Sequence, residues 1–338
     1  MRVIEVQAAG LLTTVQDLGR PGFGPMGVSA SGAADAVALR VGNRLVGNAE
    51  GAAGLEMTLL GGTFVFPEGG VVALTGSDFG ATLDDVRIVT WTSIEVRPGQ
   101  TLRLGPTRSG ARCTLCVQGG VVVKDFLGSA STHLLSGLGG HVGRAMRKGD
   151  VLEIGPASVE RMPGIGGRME GTGKSACSTG GMGDPIRARR LTARGLERLA
   201  PRKALRVTEG PQSSWFTEEA RRSFYAGVYR VAEECNRMGI RLEGAPIGAG
   251  SVGEMISEGV SLGAIQVPES GLPIILFVEQ QTTGGYPKIA NVISADFHSL
   301  GQLRPRDEVR FERVSLETAR SLLIEQEKLL ASAELILE

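Results

Sequence analysis

The ten residues EQQTTGGYPK, 279–288, place many hydrogen-bonding groups on a glycine-rich turn between two apolar runs, LPIILFV before it and IANVI after it. Gln281 and Thr282 carry neutral donors and acceptors, able to read a carboxylate, an amide or a ureido group without ionising. Gly284 lets a ligand approach the backbone, Tyr286 offers a phenol, and Lys288 supplies a point charge. Thr283 and Lys288 are the candidate catalytic groups of this turn. A second polar loop, LLTTVQDLGRPGFGPMGV at 11–28, repeats the combination with Gln16, Asp17 and Arg20, whose guanidinium can grip a carboxylate or phosphate with two prongs. A third pair of segments, RVTEGPQSSWF and CNRMGIRLEG, adds Glu209, Gln212, Asn236, Arg237 and Arg241. Glu209 is a candidate general base, with an ion pair to Arg237 as the alternative.

Two motif matches fail on context. GFGPMG at 22–27 has the dinucleotide spacing, but polar, turn-like residues precede it, Pro25 interrupts it, and no β-α-β alternation follows. GTGKS at 171–175 resembles a phosphate loop, but Arg168 stands where the first glycine belongs.

The 338 residues fit about two domains of roughly 100–200 residues each. Hydrophobic residues make up 42% and charged residues 21%, so a packed core is expected. Lys+Arg and Asp+Glu are both 36, which removes the electrostatic reason to expect nucleic acid or an anionic membrane as a partner. No apolar run approaches the ~20 residues of a membrane span, and no signal-peptide pattern opens the chain, so a cytoplasmic location is expected. Cys113, Cys116, Cys177 and Cys235 lack the spacing of a zinc site; Cys113 and Cys116, three apart on a strand, should point to opposite faces as buried thiols. The scattered His133, His141 and His298 form no metal cluster or triad, and His298 reads as a surface or satisfied residue.

Strand-and-turn text must position these groups. RVIEVQ alternates as a half-buried strand, and from Leu55 to Ile154 short β-runs such as RCTLCVQGGVVV recur between glycine turns. The 50 glycines suit such turns, and the 4% aromatic content implies an aliphatic core. SASGAADAVALRVGNRLVGN reads as a helix capped by Ser31, with Ala34, Val37, Ala38, Val41 and Leu45 inward. The C-terminal segment reads as an amphipathic helix capped by Ser315, with Leu316, Ala319, Leu323 and Leu330 as its stripe. VRPGQTLRLG, MRKGDVLEIG and LRPRDEVRFE share a basic residue, a turn and an alternating strand, which hints at two related β-rich halves. The Gly-, Ser- and Arg-rich segment 161–195 marks the boundary, between an N-terminal domain at 1–160 and a C-terminal domain at 196–338; the arginines from Arg187 to Arg206 read as a solvated face.

GLLTTVQDLGRPGFGPMGVSASGAAD, LEMTLLGG, ALTGSD, LGSAST, NRMGIRLEG, SEGVSLGAIQVPESGLPI and QQTTGGYPKIANVISAD, in this order, resemble the biotin-dependent carboxyltransferase subdomain A/B family, also called KipA-like or allophanate hydrolase subunit 2. The chain departs from the family pattern at Ile240, where an aromatic is common, and in LLGGTF, where proline often replaces a glycine; both bear on fine specificity. The resemblance implies a mainly β protein with two cyclophilin-like β-barrel domains, a few short helices and the C-terminal helix. Stand-alone bacterial members of this size are similar to the C subunit of 5-oxoprolinase. That enzyme opens 5-oxoproline to glutamate with ATP, together with a KipI-like B subunit and a LamB/YcsF-like A subunit, and ATP is expected to be shared with or held by a partner. Under this reading Gln16, Asp17, Arg20, Gln212, Arg237, Gln281, Thr282, Gly284 and Tyr286 are candidate substrate-binding or interface residues, and Lys288, Thr283 and Glu209 candidate catalytic ones. The resemblance leaves two alternatives: the carboxyltransferase half of a biotin-dependent urea or amide carboxylase, and a non-enzymatic regulator of a KipI-like kinase inhibitor.

Overall fold

A computed structural model describes residues 2–157, 188–248 and 255–337. Most of the expected linker, with Lys174 and Cys177, lies outside the described residues. The chain is mainly β, as the strand periods require.

The N-terminal half folds as two facing sheets. Five strands, Leu12–Gln16, Gly54–Thr58, Arg112–Val117, Gly70–Gly76 and Ser93–Val96, lie side by side in that order. The other sheet has seven strands and is centred on Val3–Ala8 and Thr63–Phe66. Ile4, Val6, Leu55, Met57, Phe64, Leu74, Leu102, Cys113 and Leu115 fill the space between them. Cys116 faces the opposite way, under helix α1 (Ala36–Leu45), so the two thiols do point to opposite faces. Burial raises the pKa of both thiols, which suits inert packing.

The C-terminal half contains a closed barrel of seven strands, in the order Ala204–Glu209, Lys288–Val292, Ala264–Gln266, Ile274–Leu276, Gly239–Glu243, Tyr229–Val231 and Glu308–Arg313. An odd number of strands cannot alternate direction all the way round, and the ring closes on one parallel pair, Ala204 opposite Arg310 through Val207 opposite Arg313. Closure leaves no free sheet edge. The barrel core is not purely aliphatic: Phe216, Tyr229 and Phe277 pack among the aliphatic side chains, and Phe224 of α3 (Glu218–Ala226, following α2, Ala193–Arg198) stacks on Phe311 at 4.6 Å. A short helix, α4 (Phe297–Gly301), leads from the barrel towards the first half.

Both amphipathic helices differ from their sequence patterns, for tertiary reasons. α1 starts at Ala36, and its cap is Asp35, whose carboxylate accepts from the amide of Ala38 at 2.8 Å. Ser31 instead adopts φ 55° and donates to the Thr132 carbonyl, because the residues just before α1 are held by other partners: the Gly32 carbonyl accepts from Arg237 across the seam between the halves, and the Ala34 amide donates to Glu56 of the five-stranded sheet. The C-terminal helix α5 (Leu316–Ala331) is capped by Ser315 as expected, but Leu316 is 71% exposed. Its last turn crosses to the first half: Leu330 packs with Leu45 and Val41 of α1, and Arg40 forks onto Glu327 with two 2.8 Å bonds.

The three related phrases share one turn. Arg97, Arg147 and Arg304 each donate their amide to a side chain three residues on, Gln100, Asp150 and Asp307, and each accepts that residue's amide. This is local turn chemistry.

Candidate functional site

The barrel wall carries an open cleft of about 460 Å³, within the range that takes a small molecule. Its floor comes from strand alternation. Ile240 and Leu242 enter the core, so Arg241 between them faces out; Ile265 enters the core, so Gln266 turns to the cleft. The polar turn at 279–288 forms one side, with Gln281 and the half-exposed Tyr286. Gln281 Nε2 lies 3.5 Å from Gln266 Oε1, while Gln266 Nε2 is buried without a partner. Gly284 packs directly on that amide, and a Cβ added there would clash with Gln266 Nε2. Arg241 makes no side-chain ion pair among the described residues, and Glu234, Asn236 and Glu243 also line the cleft. The arrangement presents three carboxamides, a phenol, one cation and two carboxylates, a set suited to reading a small polar amide.

The same turn has a second edge. Thr283–Gly284 pairs antiparallel with Glu258–Gly259, and the Val260 amide donates to the Thr282 carbonyl at 3.1 Å. Thr283 is exposed. Lys288 is not on a free loop: its side chain is 4% exposed, inside the barrel wall, and its Nζ donates to Glu258 Oε1. Gln212 joins the pair, donating from Nε2 to the same oxygen at 2.8 Å and accepting the Lys288 amide at 3.2 Å. The hydrogen bonds from Lys288 first, then Gln212, hold the Glu258 carboxyl below the usual range. Lys288, Gln212, Thr283 and Gly284 thus meet around the turn, with Gln281 and Tyr286 on its cleft side.

Gln16, Asp17 and Arg20 gather elsewhere, against the segment 126–132. Asp17 accepts from Ser129 Oγ, Ser131 Oγ and the amides of Gly19 and Ala130. Arg20 is buried, lies 5.4 Å over the Phe126 ring and donates to the Phe126 and Ser131 carbonyls; burial lowers its pKa. Gln16 donates to Thr14 and to the Thr132 carbonyl. Gln16 Oε1 and Arg20 Nη1 are left without partners. These three side chains build the segment they contact, and they lie apart from the cleft lining.

Glu279, which begins the turn, reaches the stretch that follows 126–132. Its Oε2 accepts the Leu134 amide at 3.3 Å, and its Oε1 accepts from Arg237. Arg237 is buried at the seam, where it also reaches Glu56 of the five-stranded sheet at 2.5 Å. The pairing of Glu209 with Arg237 is therefore overturned: Glu209 is an exposed group at the end of its strand, paired with Arg313 at 2.9 Å. His298 is a buried residue and not a surface one, with its ring between Ser299 Oγ and Gln326 Nε2. The GFGPMG stretch is an exposed single turn with no strand entering it. Arg198 and Arg202 pair with Glu325 and Glu312 at the surface, in keeping with a solvated face, but Arg206 does not: its side chain is 17% exposed and pairs with the fully buried Asp296.

Sequence reasoning missed Gln266, Glu258 and Glu56. Gln266 had a signal, a lone polar residue after the apolar GAI. Glu258 and Glu56 had none, because their partners lie 30 and 181 residues away.

The family model described as carboxyltransferase domain, subdomain A and B, matches residues 26–313. The chain is 35% identical over 326 residues to the C subunit of 5-oxoprolinase from Escherichia coli (strain K12), covering 96% of each chain. It is 32% identical over 350 residues to urea amidolyase of Saccharomyces cerevisiae, covering 98% of this chain and 18% of that one. The crystal structure of the K. lactis urea amidolyase is similar over 99% of this chain and 21% of that chain, with a TM-score of 0.83 and 30% identity.

Proposed function

The chain belongs to the carboxyltransferase subdomain A and B family, and from that premise we propose that it is the C subunit of an ATP-dependent 5-oxoprolinase. The observation that carries the reading is the end-to-end match to the bacterial protein, 96% of both chains. The urea amidolyase relatives contain the same unit as about a fifth of a longer protein. In this proposal the barrel cleft takes the small lactam: Gln266 and Gln281 face its amide and Arg241 its carboxylate. A lactam carbonyl is a weak electrophile, and the reaction needs it held and polarised while water is kept in place. The neutral carboxamides and the Tyr286 phenol can orient it; Glu234 and Glu243 are the titratable acids beside it.

The cleft does not suit ATP. Among its lining residues Arg241 is the one cation, and Glu234 and Glu243 would repel a triphosphate. ATP therefore belongs on a partner in this reading, either the KipI-like B subunit or the LamB/YcsF-like A subunit, and the chain alone is expected to turn over little or no substrate. A cytoplasmic complex is part of the same proposal; no described helix is long and apolar enough to cross a membrane.

The test is 5-oxoproline-dependent ATP hydrolysis and glutamate formation by the three chains mixed, with each omitted in turn. Glutamate only from the full set supports the reading. A stable complex that turns over no 5-oxoproline sinks it and moves the question to biotinylated partners, and then to a regulatory KipI-like one.

A further inference from the structure

We propose that Glu258 fills, from within the chain, an anion site whose cation is Lys288, and that a carboxylate or phosphate oxygen of a small ligand takes its place. The identity of that ligand rests on the oxoprolinase reading; the site itself does not.

The two partners of this ion pair are unequal. Lys288 is sunk in the barrel wall with its side chain 4% exposed, whereas the Glu258 side chain is 46% exposed. A buried cation needs a partner, since leaving it alone in the wall is costly. Elsewhere that partner is built in: Arg237 and Arg112 meet Glu56, which is 1% exposed, and Arg237 also meets Glu279, at 2%. Lys288 is instead matched by a carboxylate on the surface.

The segment that carries Glu258 is lightly held. Its ladder with the turn is two residues long, Glu258 opposite Gly284 and Gly259 opposite Thr283. Ile256, just before it, is 88% exposed, so little apolar surface anchors the segment. A ladder this short is marginal without packing. The remaining hold is Gln212 and the Val260 amide.

Gln212 makes the vacated position a site. Its Oε1 stays fixed on the Lys288 amide, which aims its Nε2 at the oxygen that Lys288 Nζ also reaches. If Glu258 swings out, one ammonium and one amide N–H converge on the same point, a two-donor cradle for an anionic oxygen. The cradle lies behind the turn whose other edge, Gln281 and Tyr286, walls the cleft.

The test titrates the full chain, by calorimetry and thermal shift, with 5-oxo-L-proline, with inorganic phosphate, and with 2-pyrrolidinone, a lactam without a carboxylate. Glu258→Ala removes the internal competitor and should tighten anion binding by about fivefold or more. Lys288→Met should abolish the gain, and 2-pyrrolidinone should not distinguish the variants. Tightening of 5-oxo-L-proline assigns the substrate carboxylate to Lys288 in place of Arg241; tightening of phosphate alone leaves the carboxylate on Arg241 and assigns the site to a phosphate oxygen. The proposal is overturned if no anion binds Glu258→Ala more tightly than the parent chain, or if the gain survives Lys288→Met. Should Glu258→Ala fold poorly, Glu258→Gln keeps the shape without the charge and must show the same sign. The oxoprolinase reading fails separately, when the reconstituted complex turns over no 5-oxoproline whatever Glu258→Ala does.

Discussion

Arg237 of the barrel donates to Glu56 of the N-terminal sheet at 2.5 Å, with the two side chains 5% and 1% exposed. The same guanidinium reaches Glu279 and the Gly32 carbonyl, and Glu56 in turn accepts the Ala34 amide. One buried network therefore ties the base of the polar turn to the other half of the chain. Arg112 adds to it, bonding the Gly301 carbonyl at 2.7 Å and lying 5.2 Å over the Phe277 ring.

Arg237→Ala leaves Glu56 and Glu279 buried and short of a counter-charge. We expect a loss of about 3–5 kcal/mol in urea unfolding, since breaking a buried pair strands the other charge. Arg237→Lys should recover only part of it, because a point charge cannot serve three acceptors in a plane. A loss under about 1 kcal/mol for Arg237→Ala would show that water solvates the seam.

Gly284→Ala should separate function from stability. The added Cβ meets the far end of a flexible side chain, Gln266 Nε2, and not backbone. Stability should fall by no more than about 1–2 kcal/mol, while Gln266 moves and KM for the substrate of the complex rises. An unchanged KM would remove Gln266 from the binding surface.

Thr283→Ala should leave the melting temperature unchanged, because Thr283 is exposed. Lys288→Met should lower it modestly, since the freed Glu258 is solvated while the stem remains packed. Both should cut turnover by the reconstituted complex. Full activity in both would return the turn to a purely structural role.

Asp17→Ala should cost about 2–3 kcal/mol, because two hydroxyls and two amides lose one shared acceptor. Hydrogen exchange at the Gly19 and Ala130 amides should rise first. Unchanged protection at both would mean that the segment holds itself.

Asp150 tests the acid limb. Hydrogen bonding to Arg144 lowers its pKa to about 2. A carboxylate depressed in the fold adds stability above its unfolded pKa, about 4. That contribution is lost as pH falls from about 4 to about 2. Asp150→Asn should therefore be less stable than the parent at pH 6, with the gap closing towards pH 2. The pair lies at the surface, with the Arg144 side chain 30% exposed, so solvent screening should keep the gap to about 1 kcal/mol or less. A gap independent of pH would assign the effect to turn geometry alone.

Local text made much of the architecture legible. Strands such as Val3–Ala8 follow from alternation, and the opposite faces of Cys113 and Cys116 follow from a period of two. Ser315 caps α5 because a cap needs only its own next turn. The site was half legible: Gln281, Tyr286 and Lys288 stood out as polar residues between apolar runs, and they do meet around one turn.

By itself, then, the sequence determined what short-range physics controls: the β class, the turns, the caps and the polar character of residues 279–288. Only the tertiary structure decided where each polar group finds its partner. It sank Lys288 in the wall opposite Glu258, gave Glu209 to Arg313, and started α1 at Ala36 by drawing Gly32 and Ala34 to Arg237 and Glu56. A buried charge must take whichever opposite charge the folded chain brings near it, and sequence distance carries no record of that choice.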